Sequence, residues 1–127
     1  MKQTIGRVAL FALLAAGAMP GFAHHSFAMF DMAKSVTLEG TIKQFDWTNP
    51  HTFVWVNVVN GEGKVETWGI EGQSPNFLGR RGWSKNSVRP GDKVSVVISP
   101  LKDGRAGGMF RSMILPTGKT ITQMGLQ

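Results

Sequence analysis

Apolar and polar residues alternate with a period of two through Val36-Thr37-Leu38-Glu39-Gly40-Thr41-Ile42-Lys43, the spacing of a β-strand with one buried face. Val36, Leu38 and Ile42 fall on the core side, and Gly40 stands between them where the strand bends sharply. After Gln44 the apolar phase moves to Phe45 and Trp47, as a β-bulge would produce. Thr48-Asn49-Pro50-His51 reads as a turn. Residues 53–59 predict a second strand, with Val54, Val56 and Val58 on one face and Phe53 and Trp55 on the other. Asn60-Gly61-Glu62-Gly63 predicts a tight hairpin into a third strand over residues 65–71.

Ser74-Pro75 supplies an N-cap and a first-turn proline, so a short helix is expected there, ending at Gly82 and sharing Phe77, Leu78 and Arg81 on one face. Residues 88–92 form a turn, 93–98 a fourth strand, 102–108 a glycine-rich loop and 109–115 a fifth strand, with a short strand at 120–123. Three strands, a short helix and further strands is the order of the oligonucleotide/oligosaccharide-binding (OB) barrel. An immunoglobulin-type sandwich would need about seven strands without the helix. The expected fold is therefore all-β with one short helix, an OB-like Greek-key barrel of five to six strands. Val54, Val56, Val58, Leu38, Ile42, Val94, Val96 and Ile98 should share its core, and Phe77 and Leu78 should plug one end.

Ahead of these strands lies a different pattern. Met1-Lys2-Gln3-Thr4-Ile5-Gly6-Arg7 is short and basic, residues 8–18 are apolar, and Gly21-Phe22-Ala23 offers the small residues that a signal peptidase needs. The apolar run of about 11 residues is shorter than the roughly 20 of a membrane span. Residues 1–23 read as a signal peptide and 24–127 as a single domain, exported to the periplasm or secreted. Cleavage after Ala18 also satisfies the small-x-small rule, through Ala16. No later stretch is long enough to span a membrane, so an integral membrane protein is not expected.

Composition narrows the chemistry. The chain has no cysteine, which excludes disulfides, thiolate metal sites and cysteine nucleophiles. Loss of Lys2 and Arg7 with the leader would reduce 14 basic residues to 12 against 8 acidic ones, a net charge of +4. That balance favours an anionic surface such as lipid headgroups, polysaccharide or nucleic acid without choosing among them, and export argues against nucleic acid. Gly118-Lys119-Thr120 lacks the upstream glycine of a phosphate loop, Met113 standing in its place. Ser26, His25 and Asp31 lack the rigid base and oxyanion hole of a nucleophilic site. Nothing in the pattern signals an enzyme.

Three constellations carry possible binding chemistry. The chain's only histidines are His24, His25 and His51. A mature terminus at His24 would offer its α-amine and ring Nδ1 as a chelate, and with His51 and His25 the nitrogen donors suit Cu(II). A Cu(I) site would draw instead on Met29 and Met32. The alternative is a mobile tail and a turn. His51 sits at one end of the first strand and residues 24–35 enter at the other. The segment from His24 to Phe30 would have to run back along that strand as an extra edge. The second constellation is aromatic: Phe45, Trp47, Phe53, Trp55 and Trp68, either a stacking platform or a cap on a small core. Arg80 and Arg81, with Lys85, Arg89 and Lys93, form the third, either a docking site for an anion or a solvated helix end. Trp47, Asn49, Phe53, Trp55, Trp68, Arg80 and Arg81 make up the candidate ligand face for a glycan, an anionic polymer or a protein partner.

The motifs His24-His25-Ser26-Phe27 with Phe30-Asp31, Thr37-Leu38-Glu39-Gly40-Thr41, Trp47-Thr48-Asn49-Pro50-His51, Ser74-Pro75-Asn76, Arg80-Arg81-Gly82-Trp83 and Pro90-Gly91-Asp92 resemble a family of small exported bacterial proteins, a domain of unknown function. The resemblance spans essentially the whole mature chain. It implies export and one compact β domain, and it assigns no catalytic residue. The intact mass of the exported protein should correspond to a chain beginning at His24; a mass beginning at Met19 would remove the free histidine amine.

Overall fold

The computed structural model describes residues 27–126. The expected leader and both His24 and His25 lie outside the described residues. Five strands close on themselves: β1 (Val36–Asp46), β2 (Phe53–Val59), β3 (Val65–Glu71), β4 (Lys93–Pro100) and β5 (Gly107–Ile114). The pairing runs β3-β2-β1-β4-β5, and a β3–β5 ladder completes the circuit. This is the OB-like barrel. A short β6 (Thr120–Thr122) lies along β5, and the two-residue β7 (Gly125–Leu126) pairs with β6.

β1 belongs to both halves of the barrel. It pairs with β4 over Val36–Thr41 and with β2 over Thr41–Asp46, so Thr41 is where one partner gives way to the other. Two features let it coil that far. The register shifts between Ile42 and Gln44, slightly earlier than the apolar pattern suggests. Gly40 supplies the second, because a Cβ there would lie 2.5 Å from Asn57 O and 2.6 Å from a Val56 methyl. The strand also runs on to Asp46, since a bulge bends a ladder without ending it.

The hairpin between β2 and β3 is organised by Asn60, whose Oδ1 accepts from the Glu62 and Lys64 N–H groups at 2.9 and 3.0 Å. The ladder that follows pairs Val54 with Ile70 and Val56 with Trp68. These residues face the interior with Leu38, Ile42, Val94, Val96 and Ile98, all but Trp68 fully buried; Val58 is half-buried against the same core.

α1 (Pro75–Gly79) starts where Ser74-Pro75 predicts, with Ser74 Oγ accepting from Phe77 N–H at 3.3 Å. It stops at Gly79 rather than Gly82. Gly82 instead adopts φ of 89°, turning the chain so that Trp83 enters the barrel end beside Leu78. The Trp83 ring meets Phe110 edge-on at 5.5 Å, and its Nε1–H donates to Thr122 O at 2.9 Å. Leu78 is buried and Phe77 half-buried, so the plug is Leu78 with Trp83 more than Leu78 with Phe77.

Burial separates residues of like chemistry in the same sheet. Ile70 is 0% exposed and Ile114 is 48% exposed. Ile70→Ala should lower unfolding free energy by about 2–5 kcal/mol, and Ile114→Ala by less than about 0.5 kcal/mol, both read from urea unfolding.

Candidate functional site

Residues 27–35, the described chain ahead of β1, do not run back along it; they pair instead beyond the end of β4. Residues Phe27–Met29 form one 3-10 turn, and Phe30 bridges to Leu101 at the end of β4. Asp31 N–H donates to Pro100 O at 2.8 Å, and Lys102 N–H donates to Met29 O at 3.0 Å. Arg111, on β5, fastens the next turn: one guanidinium nitrogen donates to Met32 O at 2.7 Å and Nε donates to Ser99 Oγ at 2.7 Å. The Phe30 ring is buried beneath.

Coiling of β1 brings this segment to the end of the barrel that holds His51, although sequence order places the two at opposite ends of that strand. Phe27, Phe30, His51, Glu71, Met109 and Gln123 line a narrow cleft. Its floor is the outer face of the β3–β5 ladder, where Phe53, Glu71 and Met109 fall in register. Thr52 braces the wall, taking Gly72 N–H on its carbonyl at 2.8 Å and donating its hydroxyl to Gln73 O at 2.9 Å.

His51 is more than the end of a turn. Its Nδ1 lies 3.1 Å from Gly72 O. A carbonyl only accepts, so Nδ1 carries a proton in this contact. Glu71 Oε1 stands 3.5 Å from the same Nδ1, and Glu71 is only 6% exposed. Among the described residues no cluster of three or more histidine, aspartate or glutamate side chains could hold a metal. His51 is the described member of the expected copper set.

The seven residues of the expected ligand face do not stay together. Phe53 and Trp55 stack at 5.8 Å on the outer face of β2, and Trp55 Nε1–H donates to Asp46 Oδ2 at 2.8 Å. The Trp55 ring lies on Gly69, where a Cβ would come within 2.8 Å of it. Trp68 departs from this group: opposite Val56, it faces inward and packs on the core, with a buried Nε1 that has no partner. The cause is strand parity, which puts residues 68 and 55 on opposite faces. Trp47 packs edge-on against Phe45 at 5.7 Å and caps the core. Asn49 is exposed in the β1–β2 loop, preceding a cis peptide bond to Pro50.

The arginines also stand apart. Arg81 lies over the Phe77 ring at 3.6 Å and donates to Phe77 O at 3.0 Å, and Arg80 caps α1, exposed. Neither lines the clefts around His51 and Trp55. The cation beside the aromatic pair is Arg105, paired with Asp103 at 2.7 Å. The Arg105 backbone N–H, and then its guanidinium, hold the Asp103 carboxyl below its ordinary value.

Glu71 and Arg111 carry no sequence signal for these places, because each is set by pairing across the barrel. Gly69 does carry one: a glycine inside a strand marks close approach by another group.

A family of unknown function, DUF6152, matches residues 12–111. The chain belongs to that family. No curated protein matches it. Among solved structures it is similar to the mitochondrial single-stranded DNA binding protein Rim1 of S. cerevisiae, at 16% identity, covering 65% of this chain and 94% of that one with a TM-score of 0.47. No helix among the described residues of this family member is long and apolar enough to cross a membrane. Arg111→Ala should release Met32 and speed hydrogen exchange at the Asp31 and Lys102 amides by about two- to tenfold, leaving Val56 and Val96 unchanged. Unaltered exchange at both amides would make Phe30 burial the sole anchor.

Proposed function

We propose that this protein is a small exported binding protein that holds one Cu(II) ion at the His51 cleft, through His24 and His51 with His25 assisting. The reading starts from a leader ending at Ala23, which leaves His24 with a free α-amine beside its ring. The observation that carries it is the cleft shared by Phe27, Phe30 and His51. The chain immediately after the two N-terminal histidines is fastened against the loop histidine. His24 precedes Phe27 by three residues, a reach of roughly 10 Å when extended. The Gly72 carbonyl on Nδ1 favours Nε2 as the coordinating atom of His51. An amine and imidazoles match the preference of Cu(II) for nitrogen, and the absence of cysteine removes the thiolates that favour Cu(I). Export would place the protein in the periplasm of a two-membrane cell, or outside the cell.

A second reading uses the Phe53–Trp55 stack, resting on Gly69, as a platform for a glycan, an anionic polymer or a protein partner. Titration of the mature protein with Cu(II) and with oligosaccharides separates the two. The mature protein should bind one equivalent of Cu(II), and His51→Ala should weaken binding by about tenfold or more. Extending the terminus by one residue, which moves the amine away from the His24 ring, should weaken it similarly. If both variants bind copper as the parent does, the histidines form no site.

A further inference from the structure

We infer that the Phe53–Trp55 face takes a neutral sugar ring, stacked on Trp55 in the groove between β2 and the segment ahead of β1; the inference rests on the platform reading above. The groove has a volume of about 390 Å³, the size of a small-ligand site. Phe53 and Trp55 line it from β2, Gly69 from β3, Met29 and Phe30 from the segment ahead of β1, and Arg105 from the β4–β5 loop.

Trp55 is set in place at both ends. Its Nε1–H donates to Asp46 Oδ2 on β1 at 2.8 Å, and its six-membered ring reaches over β3, where a glycine at 69 leaves room for it. The indole therefore lies across the sheet with its one polar atom already used. What it presents to a ligand is ring carbon, and Phe53, near-parallel at 21°, extends that surface.

A flat apolar surface alone would suit any ring, and the polar groups beside it narrow the choice. Arg105 and Asp103, exposed and paired at 2.7 Å, offer donors and acceptors side by side in the loop. Asn57 and Thr67, hydrogen-bonded to each other at 2.8 Å, do the same on the face that carries Trp55 and Gly69. A sugar ring has the matching division, with C–H groups on one face for stacking and hydroxyls around its edge that both donate and accept. An anionic ring would have to draw Arg105 away from Asp103 and approach the Asp46 carboxylate.

The test titrates the mature protein with neutral hexaoses of glucose, mannose and N-acetylglucosamine and with a hexamer of uronic acid. Affinity is read by calorimetry and the tryptophan indole N–H signals by NMR, that of Trp55 assigned by its loss in Trp55→Ala. At least one neutral hexaose should bind more tightly than the uronate and shift the Trp55 signal. Trp55→Ala should weaken that binding by about fivefold or more, the loss of one stacking ring. Gly69→Ala, whose Cβ would displace the indole while leaving the polar groups in place, should weaken it in the same direction; it carries the test if Trp55→Ala does not fold. Tighter binding of the uronate, with the Trp55 signal shifted, would overturn the neutral-sugar inference and leave the platform reading standing. A parent that binds no oligosaccharide, or binds one with no change in either variant, would overturn the inference together with the glycan and polymer forms of that reading.

Discussion

The short parallel ladder between Gly69–Glu71 and Gly107–Met109 is the constraint on which the rest depends. Parallel pairing over so few residues needs two backbones to meet without interference from side chains. A Cβ at Gly107 would lie 3.0 Å from Gly69 O and 2.9 Å from a Leu101 methyl, and one at Gly108 would lie 2.5 Å from Ser99 O. The glycines therefore admit three strands to one junction. With the ladder formed, β3 and β5 pair with each other instead of ending the sheet, the interior is sealed around Val56, Val96 and Ile98, and the outer face of the junction becomes a floor. That floor carries Glu71 and Met109 on one side and Trp55 on the other.

Strand periodicity made most of this barrel legible. Alternation at Leu38, Ile42, Val54 and Val56 identified the buried faces, and Ser74-Pro75 marked the start of the helix, because both signals are local. The glycine-rich stretch was harder to read. Gly107 and Gly108 look like loop residues and are strand residues, since what they respond to lies on β3 and β4. The arrangement of the site was equally hidden. Phe27 and His51 appear to belong to opposite ends of β1 only if that strand is treated as straight, and a bulge with Gly40 makes it coil. Trp68 was misread as a surface aromatic for a simpler reason: its parity on β3 had to be counted from its partner Val56.

Two surfaces emerge with different physical character. The His51 cleft is small and enclosed, with a histidine whose Nδ1 meets a backbone carbonyl and a carboxylate close by. The Phe53–Trp55 face is broader; among the described residues lining it the one cation is Arg105, which pairs with Asp103, while Arg80 and Arg81 stand at the helix end. The two surfaces thus correspond to the two proposed readings, a metal at the cleft and a stacking ligand on the aromatic face. They differ in lining: one histidine and one carboxylate among apolar groups in the first, a stacked aromatic pair in the second.

Closure by β5 also makes the cleft depend on the whole fold. The walls of the cleft come from the segment before β1, the β1–β2 loop, the end of β3, the start of β5 and the residue after β6. Bringing segments this distant in sequence together costs loop-closure entropy that the closed barrel must offset. A nascent or partly folded chain presents the histidine and the carboxylate on separate, unpaired segments. Assembly of the cleft is thus a report of completed folding: it comes into being only when the last barrel strand has docked.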